Sequence, residues 1–174
     1  KRISDVISEE VDKYNLPLPK LRIEPGRLIS GPCGVAVGTV GAVKVGDKKK
    51  WVNLDLSTNV LSWAAILDWY YHAVPVENTE REATETVDIV GPLCNSDEIG
   101  KQRKMPPLVR GEHVAFLDAG GYVESQAARY NAQCLPATVL VFNELSEITT
   151  EREQLRDVSG RFRVPPRLLA QSFS

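Results

Sequence analysis

Leu21-Arg-Ile-Glu24, cut off by Pro25-Gly26-Arg27, is the stretch that decides how the rest of the chain reads. Leu21 and Ile23 alternate with charged neighbours as in a short strand, and Pro-Gly imposes a turn on it. Upstream, Ile3, Ile7, Val11 and Tyr14 recur at helical spacing among Asp5, Glu9, Glu10 and Asp12. The pattern predicts an amphipathic helix over residues 2–15, ended by Leu16-Pro-Leu-Pro19. Helix, brief loop, strand and glycine-containing turn form the closing step of an α/β unit. Nothing before residue 1 supplies the remaining strands, so the chain is expected to begin inside a larger domain.

Downstream the period changes from that of a helix to that of strands. Val35, Val37, Thr39, Val43 and Val45 share one parity, and Val52, Leu54 and Leu56 alternate with Trp51, Asn53 and Asp55. Gly46-Asp47-Lys-Lys-Lys50 reads as the hairpin turn between them. Further period-2 runs at residues 85–90, 113–117 and 137–142, rich in β-branched and aromatic residues, predict a β-rich domain. Ser62 to Tyr71 reads as a compact aromatic helix, while 78–83 and 100–111 read as loops. No internal repeat or low-complexity segment is found.

Composition sets outer limits. The chain has 174 residues, 43% of them hydrophobic, and its 21 Lys+Arg against 23 Asp+Glu leave a formal charge of −2. Such a chain is neither disordered nor collagenous, and its charge balance gives no electrostatic reason to expect nucleic acid or anionic lipid as the main partner. No apolar run approaches the roughly 20 residues of a membrane span, and no apolar leader opens the chain. The first residue is not Met, so a trimmed start is expected. Cys33, Cys94 and Cys134 are an odd number without a Cys-x-x-Cys pair, which predicts reduced thiols and a cytoplasmic location.

Several chemistries lack their motifs. Gly26-x-x-x-x-Gly31 is followed by Pro32-Cys33, where a nucleotide-binding loop needs Lys and Ser or Thr. His72 and His113 have no ligand-spaced partners, so no metal site is expected. No Gly-x-Ser-x-Gly surrounds any serine.

Three short motifs remain. Glu24-Pro-Gly-Arg27 places a carboxylate, exposed backbone and a guanidinium at a strand end, which suits either a functional site on an α/β sheet or a turn with a surface ion pair. Gly91-Pro-Leu-Cys-Asn-Ser-Asp97 puts Cys94 among polar residues, where a thiol is exposed rather than packed. Gly120-Gly-Tyr122 allows close backbone approach, with a phenol projecting from a tight bend. Trp63, Trp69, Tyr70 and Tyr71 read as core more readily than as a binding surface.

Taken in order with Tyr130-Asn131, these motifs resemble the second half of fold-type III pyridoxal-phosphate decarboxylases, the family of the diaminopimelate and ornithine decarboxylases. The resemblance covers about Leu21 to Val141. It implies a mixed α/β architecture in which residues 1–30 are the last helix and strand of a TIM (β/α)8 barrel and residues 31–174 a mainly antiparallel β-domain. It also implies a homodimer with shared active sites. Glu24 would pair with the pyridine nitrogen of pyridoxal 5'-phosphate, and Gly26 and Arg27 would hold the phosphate, Arg27 also lying near substrate. Tyr122 would contact phosphate or substrate. Cys94 would enter the partner subunit's site as proton donor to the substrate α-carbon. These residue types suit the chemistry: a carboxylate keeps the pyridine ring protonated, a planar guanidinium grips phosphate, and a thiol can return a proton near neutrality.

Two departures stand out. No lysine here matches the family's Schiff-base lysine, since Lys44, Lys48 to Lys50, Lys101 and Lys104 sit in polar turns or on strand faces. A complete site therefore needs an N-terminal barrel segment carrying that lysine; otherwise the chain is a truncated homologue without activity. Second, positions that hold an Arg, a Tyr and a Glu in diaminopimelate decarboxylases fall at Trp63, Leu67 and Asn95. Without the Arg, a distal carboxylate is expensive to desolvate, which points away from diaminopimelate. The expected substrate is another amino acid, or one presented on a larger molecule. An enzyme half is thus the first expectation, an inactive homologue serving as a binding or regulatory module the second, and a purely structural β-domain the third.

Overall fold

The structure, a computed structural model, describes residues 2–169. Its first element is helix α1 (Ile3–Tyr14), one residue shorter at each end than the periodicity predicts. Asn15 closes it in the left-handed region, φ 50°, returning its N–H to the Asp12 and Val11 carbonyls. None of its residues is buried, so the apolar stripe of Ile3, Val6 and Tyr14 faces outward.

Leu21 to Glu24 is not a strand. Leu21 and Ile23 are exposed, and among the described residues no segment forms a ladder with them. The alternation is present, but a strand exists only through its neighbour's hydrogen bonds. The chain then forms the short helix α2 (Gly26–Ser30) and a 3-10 turn at Gly31–Cys33.

The body of the domain is a six-stranded sheet built from β1 (Ala36–Val45), β2 (Lys50–Leu54), β3 (Ala73–Pro75), β4 (Glu85–Val90), β5 (Glu98–Met105) and β6 (His113–Phe116). Their order is β3-β6-β1-β2-β4-β5, antiparallel throughout except for the parallel β2–β4 pair. The mainly antiparallel expectation is met. The 46–50 turn joins β1 to β2 as predicted, with the Gly46 N–H bonded to the Lys49 carbonyl at 2.8 Å. Val40, Val52, Leu54, Leu56, Leu61, Tyr71, Ile89, Ile99, Met105, Val114 and Phe116 form the core.

In β1 the shared parity does not mark the buried face. Val35, Val37 and Val45 are exposed, whereas Val40 is buried and Val43 packs against the core. The register shifts between Val40 and Ala42, so Gly41 is the extra residue of a β-bulge that switches which parity faces inward. Residues 100–105, read as loop, belong to β5: their charged side chains hide the strand pattern, and only Arg103 and Met105 among them turn inward after Gly100.

The aromatic helix is also shorter than predicted. Helix α3 (Ser62–Ile66) stops where Asp68 enters the left-handed region, φ 49°. The Trp69 N–H then returns to the Trp63 carbonyl at 3.0 Å. Aspartate tolerates that conformation better than the bulky aromatics beside it. Beyond a 3-10 turn at Tyr130–Ala132, β7 (Thr138–Phe142) and β8 (Leu145–Thr150) form a separate hairpin with exposed apolar side chains, followed by α4 (Leu155–Ser159) and α5 (Pro166–Leu169). No helix among the described residues is long and apolar enough to cross a membrane.

Candidate functional site

Two glycine-bearing turns meet backbone to backbone and thereby build the site. The Ala119 N–H bonds to the Gly34 carbonyl and the Gly120 N–H to the Gly31 carbonyl, both at 2.9 Å. A Cβ on Gly120 would stand 2.0 Å from the Ser30 carbonyl oxygen, and one on Gly34 would stand 2.4 Å from the Gly120 Cα. Only hydrogen fits at either place, so the close approach expected of Gly120-Gly121 is present. It sets α2 against the turn that carries Tyr122. A Cβ on Gly26 would lie 3.2 Å from the Tyr122 hydroxyl, so that phenol reaches the start of α2.

Arg27 points from α2 into a cage of rings. Its Cζ lies 4.2 Å from the Trp63 ring centroid and 4.3 Å from that of Trp69, with Tyr71 at 5.6 Å and Tyr122 at 5.9 Å. Trp63 stacks on Tyr122 at 4.6 Å with 16° between planes, meets Trp69 edge-on at 5.6 Å, and donates its indole N–H to Gln126 Oε1. Each cation–ring contact contributes about 0.5–2 kcal/mol depending on desolvation, so several together fix the guanidinium. Nη1 donates to the Asp118 carbonyl at 3.2 Å and Nη2 to the Tyr71 hydroxyl at 3.3 Å. Nε is buried without a partner. Burial pushes the Tyr71 phenol's pKa up, and the Arg27 charge pulls the other way. Tyr122 holds φ at 68°, a strained backbone for a bulky residue and one that aims its ring.

Cys94 lies on a different loop and is exposed, as its polar neighbours predict. That loop is closed by Asp97, which is buried. Its Oδ1 accepts the Thr58 N–H and hydroxyl, both at 2.7 Å, and Oδ2 accepts the Leu93 N–H at 3.0 Å. The Asn131 amide donates to Cys94 Sγ at 3.4 Å. Asn95 is exposed beside Cys94.

The structure thus brings Gly26, Arg27, Trp63 and Tyr122 together. Leu67 is exposed where α3 ends, and Glu24 is exposed on the irregular segment ahead of α2. Sequence reading assigned Trp69 and Tyr71 to the core and so missed two walls of the Arg27 cage. Tyr71 is indeed buried, yet its hydroxyl faces the site. It also missed Asp97, whose only trace was an acid three residues after Cys94. Among the described residues no group of three or more His, Cys, Asp or Glu side chains could hold a metal ion. A surface concavity of about 390 Å³ lies around the β1–β2 turn, with Lys48, Lys49, Lys50 and Asp88 in its wall. Another, about 140 Å³, adjoins Trp69 and Tyr70. Neither includes Arg27 or Cys94.

The fold and site define a class: a mostly antiparallel sheet domain whose turns present a caged cation and an exposed thiol on an open surface. Residues 6–120 match the family model described as the pyridoxal-dependent decarboxylase C-terminal sheet domain, and the chain belongs to that family, whose cofactor is pyridoxal phosphate. A diaminopimelate decarboxylase of Methanothermobacter thermautotrophicus is 30% identical over 169 residues, covering 97% of this chain and 39% of the relative. One from Neisseria meningitidis is 38% identical over 137 residues, covering 78% and 33%. The solved diaminopimelate decarboxylase of M. jannaschii superposes with a TM-score of 0.80 at 31% identity, over 95% of this chain and 38% of that one. The chain therefore spans about two-fifths of the length of such relatives.

Proposed function

We propose that this chain is the C-terminal portion of a pyridoxal-phosphate-dependent amino-acid decarboxylase, working in the cytoplasm as a homodimer with shared sites. Residues 1–30 belong with the end of a TIM barrel, α1 as its last helix and 21–24 as the segment that becomes its last strand once a neighbouring strand pairs with it, and 31–174 are the β-domain. The observation that carries the reading is Arg27: a caged guanidinium with a buried, unpartnered Nε–H, following Gly26, where an added Cβ would lie 3.2 Å from the Tyr122 hydroxyl. A buried donor without an acceptor is rare, and a phosphate oxygen supplies one. The exposed apolar stripe of α1 and the unpaired 21–24 segment support a missing barrel.

Pyridoxal phosphate, when bound, supplies the electron sink for the pair left as carbon dioxide departs. Arg27 and Tyr122 anchor the phosphate and orient the ring. The Glu24 carboxylate holds the proton on the ring nitrogen. Cys94 Sγ carries the proton destined for the substrate α-carbon, contributed to the partner's site. The lysine comes from an N-terminal barrel segment. The indole of Trp63 beside Arg27, with neutral Leu67 and Asn95 at the other distal positions, favours a substrate whose far end is less charged than diaminopimelate, free or presented on a larger molecule.

Arg27→Ala is expected to weaken cofactor retention roughly 10- to 100-fold, the equivalent of one charge-assisted phosphate contact. Cofactor absorbance during dialysis measures it, and undiminished retention removes the phosphate assignment. Cys94→Ala is expected to lower decarboxylation while the cofactor stays bound; an unaffected turnover removes the proton-donor role. Both require the lysine-bearing partner segment, detectable by mass in the purified protein. If material containing it neither binds cofactor nor releases carbon dioxide, the inactive binding-module reading takes over.

A further inference from the structure

We infer that Asn131 is a positioning residue for the Cys94 thiol, holding the sulfur's direction. The consequence for turnover rests on the decarboxylase reading; the contact itself does not. Asn131 sits within the 3-10 turn at φ 57° and ψ 30°, a conformation asparagine tolerates better than most residues. Its Nδ2 lies 3.4 Å from Cys94 Sγ. An amide N–H can only donate there, so the contact fixes the side from which the sulfur is held.

The pair is held by a buried polar hub following β2. Ser57, Thr58 and Asn59 are all buried. Thr58 grips the Cys94 loop through Asp97. Asn59 grips the other loop, its Nδ2 donating to the Tyr130 carbonyl at 2.9 Å and its carbonyl accepting the Ala128 N–H at 2.8 Å. Farther along, Glu153 accepts the Arg129 guanidinium and the Leu135 N–H, tying down both flanks of the Asn131 turn. Two consecutive residues, Thr58 and Asn59, therefore fix both loops relative to one another. Sulfur and amide meet because the hub leaves neither loop free to move away.

Asn131→Gly tests this in the natural polypeptide that carries the chain, because glycine keeps the positive φ and removes only the amide. Iodoacetamide labelling at neutral pH, resolved by cysteine through peptide mass, is followed with Cys33 as internal reference. The expected result is an about tenfold slower Cys94 reaction at neutral pH. The change should be confined to Cys94, while Cys33 is unchanged. Asn131→Asp, which keeps the side chain's shape but has no N–H to donate, should slow the reaction as well. An unchanged Cys94 labelling rate in Asn131→Gly overturns the inference, and so does a change shared with Cys33, which signals general loosening. With the complete enzyme, Asn131→Gly should lower kcat with little change in KM. If the Cys94 labelling rate changes but Cys94→Ala decarboxylates normally, the proton-donor reading fails and the positioning contact stands.

Discussion

Gly120→Ala should destabilise the domain by about 3 kcal/mol and uncouple Arg27 from Tyr122. The added methyl would stand 2.0 Å from the Ser30 carbonyl oxygen and 2.8 Å from the Gly34 nitrogen, and both obstacles are backbone. No side-chain rotation relieves such a clash; the two turns must separate. Separation breaks the Ala119–Gly34 and Gly120–Gly31 hydrogen bonds and releases α2 from the turn carrying Tyr122. Urea unfolding gives the energy, and tryptophan fluorescence reports the cage, because Trp63 and Trp69 both contact the guanidinium. Gly34→Ala strikes the same interface from the other side, so the double variant should lose much less than the sum of the singles. Additive losses, or a native Trp signal in Gly120→Ala, would show that the turns do not meet this way.

Asp97→Ala is the second large expectation, a loss of about 3–5 kcal/mol. The carboxylate is 4% exposed and accepts three hydrogen bonds, two from Thr58 and one from Leu93. Deleting it strands two backbone N–H groups and a hydroxyl in a place with little room for water. Gly91 is part of the same arrangement, since a Cβ there would sit 2.1 Å from Asp97 Oδ2. Asp97→Asn keeps an acceptor for Thr58 and presents an N–H to Leu93, so it should recover part of the loss. Chemical denaturation of the two variants measures this. Beyond stability, Asp97→Ala should erase the difference in Cys94 labelling between the parent and Asn131→Gly, because the thiol loop no longer has a fixed position. If Asp97→Ala unfolds at the parent's urea midpoint, the closure of this loop has another cause.

Local rules were readable wherever neighbours along the chain decide the outcome. The α1 spacing, the β1–β2 turn at Gly46 and the alternation of Val52, Leu54 and Leu56 emerge nearly as the residues suggest. Reading failed where one residue changes the phase of a pattern. Gly41 inserts a bulge and turns Val35 and Val37 outward, and Asp68 ends the aromatic helix early. Leu21–Glu24 carries a strand pattern without a ladder, since pairing is a property of two segments.

By itself, the sequence determined the antiparallel sheet class, the tight approach permitted by Gly120-Gly121 and the exposure of Cys94, because period, glycine geometry and local polarity act within a few residues. Tertiary structure alone decided that Trp63, Trp69, Tyr71 and Tyr122 enclose Arg27, and that Thr58 and Asn59 join the loops of Cys94 and Asn131. Those partners are separated by 36 to 95 positions in the chain. Their meeting is set by strand register and by which buried polar groups find acceptors, and neither is written in the spacing of any single segment.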